Sequence, residues 1–160
     1  MFPQLEGRPI RVKVRRSLGS HLAAASIPGR LILLDDAVFA RCGEFERILI
    51  HELFHFAWVR LSNQQRREWE EVLTNELASG TAGELGWSAE WRKDTLSPKD
   101  IRSRTPRWRR YACESFCDTA AWLYAGLARH DEFTLASPLR RLRRQWFERT
   151  LEDGRDTLKV

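Results

Sequence analysis

Residues 45–61 read FERILIHELFHFAWVRL, and any fold of this chain has to bury that run while finding partners for the polar side chains inside it. Phe45, Ile48, Leu49, Glu52, Phe56 and Val59 recur at helical spacing, which predicts a helix from Glu44 that ends at Ser62 and Asn63. In its middle stands HELFH. On a helix, His51 and His55 are one turn apart with Cβ atoms about 6 Å from each other. Both imidazoles can therefore reach one ion at the zinc–nitrogen distance of about 2.0–2.1 Å. Glu52 is rotated to the side of the pair, where it can take a proton from an activated water without being a ligand. Apolar flanks on both sides, ILI before and FAWV after, suit a dry metal site better than a solvated helix.

The rest of the chain limits what this helix can belong to. Its 160 residues are enough for about one domain with one core. Hydrophobic residues at 42% and charged residues at 31% exclude disordered and fibrous classes. No window of about 18 uncharged apolar residues exists, so no membrane span is expected. MFPQLEGRPIRVKVRR lacks the basic and apolar regions of a signal peptide, and the expected location is the cytoplasm. Cys42, Cys113 and Cys117 are odd in number and read as small buried residues in a reducing compartment, not as a disulfide framework. The net charge of +5 raises the question of nucleic acid. RWRR at 107–110 and RRLRR at 140–144 are the densest basic runs, and both read as solvated helix faces, so nucleic acid is not an expected partner. Oligomeric state is not readable.

Ile10, Val12 and Val14 alternate with basic residues in RPIRVKVRR, the period of a strand with one face buried. HLAAASIPGRLILLDD then places two extended stretches around a turn at Pro28 and Gly29. Together they predict a small, mainly antiparallel sheet of about three strands ending near Asp36. After the HELFH helix, Ser62 and Gln65 form a capping box for a second helix that stops at Gly80. Residues 80–105 show no sustained period and read as an irregular connection with one short helical turn at Ser97-Pro98. Thr105-Pro106 and Ser137-Pro138 open two more helices, the last closed by Gly154. Strands first and helices afterwards predict a single α+β domain over 1–160, with the irregular insert at about 80–105.

A catalytic zinc takes three protein ligands and keeps one position open. In HExxHxxGxxH the third is a nearby histidine, but here positions 58 and 61 are Trp58 and Leu61. YACESFCDTAAW offers an alternative. Tyr111, Glu114 and Asp118 lie three and then four apart on one face of an otherwise apolar helix, and buried carboxylates need partners. A metal ion and the free N–H of a ligating histidine would supply them, with Glu114 on the ion and Asp118 behind a histidine. The competing expectation is ion pairing with arginines such as Arg110 or Arg129.

HELFH followed by a separate helix bearing ESFCD resembles the gluzincin metallopeptidases, whose pattern is HExxH and then a glutamate ligand within ExxxD. The resemblance rests on these two motifs and spans residues 8–125 in order. It implies Zn2+ on His51, His55 and Glu114, Glu52 as general base, and Asp118 as the partner of His51. It also implies a zincin-like fold whose N-terminal sheet offers an edge strand, here in the hairpin at 20–35, to an extended peptide or protein substrate. The 59 positions from His55 to Glu114 exceed those of compact gluzincins and suggest a minimal soluble member with an inserted helix and loop.

The activity so implied is peptide-bond hydrolysis by a zinc-activated water, with Glu52 moving the proton. Tyr111, one turn before Glu114, is the first candidate donor to the oxyanion, ahead of His21, Tyr124 and His130. The alternative is a regulatory or protein-binding domain of zincin fold, docking through its basic surface and Trp87 and Trp91, the two tryptophans expected to cover the site.

Overall fold

The computed structural model describes residues 2–152 and 157–160, and these form an α+β chain in which short strands precede six helices. The strands are β1 (Gln4–Glu6), β2 (Arg11–Arg15), β3 (Ala23–Ser26) and β4 (Leu31–Asp35). The helices are α1 (Glu44–Trp58), α2 (Asn63–Ala78), α3 (Trp87–Asp94), α4 (Pro98–Ser103), α5 (Pro106–Tyr124) and α6 (Ser137–Phe147). A last strand, β5 (Thr157–Lys159), pairs in parallel with β1.

The main sheet has the order β2-β4-β3. β3 and β4 form the expected hairpin across Pro28 and Gly29, with Ala25 opposite Ile32. β2, however, runs parallel to β4, so the sheet is mixed and not mainly antiparallel. An up-down-up meander would be antiparallel with β3 in the middle. Here LILLD of β4 takes the centre, with Ile32 and Leu34 fully buried, because it is the most apolar strand. The alternation of β2 does not mark a buried face. All five of its residues are exposed, Val12 and Val14 about half, since α1 packs over β3 and β4 and β2 extends beyond that cover.

Against the sheet lies α1, and against α1 lies α5, the most extensively packed helix pair among the described residues. Phe116 stacks on Phe147 there, Phe54 meets both at a tilt with Trp69 and Trp146 around them, and the Trp69 indole donates to the Ala112 carbonyl at 3.0 Å. The Ser62–Gln65 capping box opens α2 as expected. Thr105 does precede α5, but its hydroxyl donates to Asp100 and not to its own helix. At α6 the N-cap is Ala136, with Ser137 already helical, and the expected stop at Gly154 lies outside the described residues.

The segment 80–105 holds α4 where the one short helical turn is expected at Ser97-Pro98, but it is otherwise not irregular: it also forms α3, which packs along α5. The first turn of α3 has no side-chain cap of its own, because its N-cap is Gly86. Its orphan amides are met from elsewhere: the Trp87 N–H donates to Glu132 at 2.8 Å and the Ala89 N–H to Asp118 at 3.0 Å.

One residue of RRLRR departs from the solvated-face expectation. Arg143 is fully buried, holding Glu76 through Nε and Nη2 and Glu84 through Nη1 and Nη2. Among the described residues, no helix is long and apolar enough to cross a membrane.

Candidate metal centre

α1 and α5 bring His51, Glu52, His55, Glu114 and Asp118 together. The two imidazoles, one turn apart, have ring centroids 5.0 Å from each other and planes at 78°. Glu114 reaches across from α5 so that its Oε2 lies 3.3 Å from His51 Nε2 and 3.9 Å from His55 Nε2. Two ligand atoms each about 2.0–2.1 Å from a tetrahedral ion stand roughly 3.4 Å apart, so these separations are of the size that a shared metal ion needs, and His51, Glu52 and His55 also gather ligand-type atoms within 4.8 Å of one another. Behind His51, Asp118 Oδ1 approaches Nδ1 at 2.7 Å, and Asp118 is 2% exposed. The expected arginine pairing forms at Glu114, though with Arg92 of α3 and not with Arg110 or Arg129.

The electrostatics follow from this crowding. Burial pushes the Glu114 carboxyl up, but the facing imidazoles, His51 first, outweigh it and hold the group at about 2. Burial works against the charged form of His51 too, yet Asp118 and Glu114 raise its pKa well above the ordinary histidine value. Glu52 goes the other way. It is buried beside α1's own histidines, and that desolvation raises its carboxyl above the usual range while the backbone N–H of Ala25 in β3 donates to it. A buried carboxylate with a raised pKa next to two imidazoles is poised to accept and return a proton.

Several participants were invisible in the sequence. Ser88 Oγ of α3 donates to Glu114 Oε2 at 2.6 Å, and Arg92 pairs with Glu114 Oε1 at 3.3 Å. The α3 side chains facing the centre are therefore Ser88 and Arg92. Trp87 and Trp91, expected as its cover, are 63% and 65% exposed. Cys113 and Cys117 are not merely core filling: their sulfurs lie 3.4 and 3.5 Å from His55 Nδ1. The four-residue spacing that puts Glu114 and Asp118 on one face also carries these thiols, and it was the available signal.

Tyr111 is not brought to this group. It is fully buried against Trp108, and its hydroxyl donates to Glu84 Oε1 at 2.6 Å. His130 is likewise engaged elsewhere, with Nε2 at 2.8 Å from Glu44. Glu44, His130 and Glu132 gather a third set of ligand-type atoms, but Arg47 already contacts both carboxylates at 2.8 Å. Comparison of the chain with protein-family profiles, curated proteins and solved structures gave no match.

Proposed function

We propose that this protein is a zinc-dependent metallopeptidase of gluzincin type with a zincin-like fold, acting in the cytoplasm on a peptide or protein substrate. The observation that carries the reading is the position of Glu114 Oε2, 3.3 and 3.9 Å from the two Nε2 atoms, with Asp118 behind His51. His51, His55 and Glu114 would hold the metal, and Asp118 fixes the His51 ring with Nε2 forward. Zinc supplies Lewis acidity when bound, polarising a carbonyl and acidifying water. Glu52 takes the proton from the attacking water and passes it to the leaving amine. β3, at the edge of the sheet beside α1, receives the substrate by strand addition, with its outward edge at Ala25 adjacent to Glu52. Tyr111 has no part in this mechanism, because its hydroxyl is committed to Glu84.

The test is elemental analysis of protein purified without an affinity metal, for the wild type and Glu114→Ala side by side. About one zinc per chain in the wild type and a sharp loss in the variant support the reading. Zinc absent from both, with the fold retained, would sink it. A second reading, a protein-binding domain with little general proteolysis, is favoured by exposed Trp87 and Trp91 on the helix that covers Glu114. Zinc without turnover on a broad peptide mixture would move the balance to it.

A further inference from the structure

His55 presents two nitrogens to two different environments. Its Nε2 faces Glu114, as the zinc reading requires. Its Nδ1 faces only sulfur among its described hydrogen-bonding contacts, Cys113 Sγ at 3.4 Å and Cys117 Sγ at 3.5 Å. His51, by contrast, has the usual carboxylate behind it. A thiol is a weak acceptor, so the sulfur pair is a poor device for orienting an imidazole. It is a good set of ligands.

The distances decide between these uses. An ion with metal–nitrogen near 2.05 Å and metal–sulfur near 2.3 Å, in tetrahedral geometry, places N and S roughly 3.5 Å apart. Both observed separations match, and the three ligand atoms lie within 4.8 Å of one another. Cys117 is fully buried while Cys113 is partly exposed, so one sulfur is shielded from water and the other is reachable from it. All three side chains project from the rigid α1–α5 pair, one helical turn separating the cysteines.

We infer that His55 Nδ1, Cys113 Sγ and Cys117 Sγ form a second metal site for a thiophilic ion, with Cd(II) as its probe. Two thiolates with one imidazole favour soft ions over the harder set at Glu114. On binding, the two thiol protons leave to solvent and no electron is transferred. Neutral imidazole has one lone pair, so an ion on Nδ1 leaves the proton on Nε2, pointing at Glu114. The thiophilic ion and zinc at Nε2 therefore exclude each other. This exclusion rests on the proposed function, whereas the sulfur site does not.

The experiment titrates purified Cys42→Ser protein, first stripped of metal with a chelator, with Cd2+ alone, because Cys42 is exposed and would itself bind the ion. Thiolate-to-cadmium absorption saturating at about one equivalent is expected, unchanged in Glu114→Gln and weakened at least tenfold in Cys113→Ala. Circular dichroism checks that each chain is folded. In the unaltered sequence, where no variant can misfold, cadmium should slow alkylation of Cys113, read by mass spectrometry. Absence of the absorption band, a band of equal strength in Cys113→Ala, or unprotected Cys113 overturns the site. If the band forms but the protein holds no zinc at all, the zinc reading fails and the sulfur site stands. Zinc retained in full beside bound cadmium overturns the exclusion.

Discussion

Asp118 stands between His51 and the start of α3, with Oδ1 2.7 Å from His51 Nδ1 and Oδ2 accepting the Ala89 N–H at 3.0 Å. One buried carboxylate thus sets an imidazole and caps the first turn of a helix. Replacing Asp118 by Asn keeps the shape but removes the charge that holds the ring. Zinc affinity, measured by competition with a chelator, should fall about 10- to 100-fold, the range for such outer partners of metal ligands. Undiminished affinity would separate Asp118 from the metal.

Gly86 is where that carboxylate passes the chain. A Cβ on residue 86 would lie 2.3–2.5 Å from the carboxyl atoms of Asp118, although its φ of −176° is open to any residue. Gly86→Ala should therefore act by displacing Asp118, not by backbone strain. Its zinc affinity should drop as Asp118→Asn does, and the double variant should be little worse than either alone.

For Glu52, the amide analogue preserves size but cannot move a proton. If the proposed function holds, Glu52→Gln should keep about one zinc per chain and lose at least roughly 100-fold of the peptidase rate, the lower end of what a general base contributes. A variant cleaving a peptide mixture at the native rate would remove Glu52 from the mechanism.

Arg143 tests the other buried charge cluster. Arg143→Met leaves Glu76 without its cation and Glu84 with Lys93 alone at 3.7 Å, and breaking a buried pair in this way costs roughly 3–5 kcal/mol. Urea unfolding would measure it. A triple replacement, with Glu76 and Glu84 also made apolar, should recover much of the loss.

Asp100 gives a pH dependence with a definite sign. Hydrogen bonds from the Ser97 hydroxyl and then Thr105 hold its carboxyl at about 2, below the ordinary 3.8. A depressed carboxyl contributes stability that is present above its unfolded value and is lost as pH falls through the folded one. Thermal unfolding of wild type and Asp100→Asn should thus differ at neutral pH, with wild type the more stable, and converge between pH 3.8 and about 2.

Local chemistry was legible in the sequence where it is self-contained. Ser62 caps its own helix through Gln65, Pro28 and Gly29 turn their own hairpin, and HELFH sets two imidazoles by helical spacing alone. α3 was not legible because its first amides are satisfied by Asp118 and Glu132, 29 and 45 positions away. β2 misled for a related reason. Val12 and Val14 have the strand period, but burial depends on whether a helix lies above them, and α1 stops at β3 and β4. Arg143 read as surface in a run of arginines, and only the fold reveals the two carboxylates waiting for it.

The first turn of α3 is tertiary structure in helical form, since nothing within residues 86–94 supplies its cap. The Ala89 amide consequently shares its acceptor with the imidazole opposite. When His51 gains a proton or an ion, the carboxylate's charge is drawn toward it, and the protection of that one amide against solvent exchange changes with it. The backbone of a helix outside both histidine-bearing and glutamate-bearing elements thus carries a readout of the state of the centre, observable without any substrate in hand.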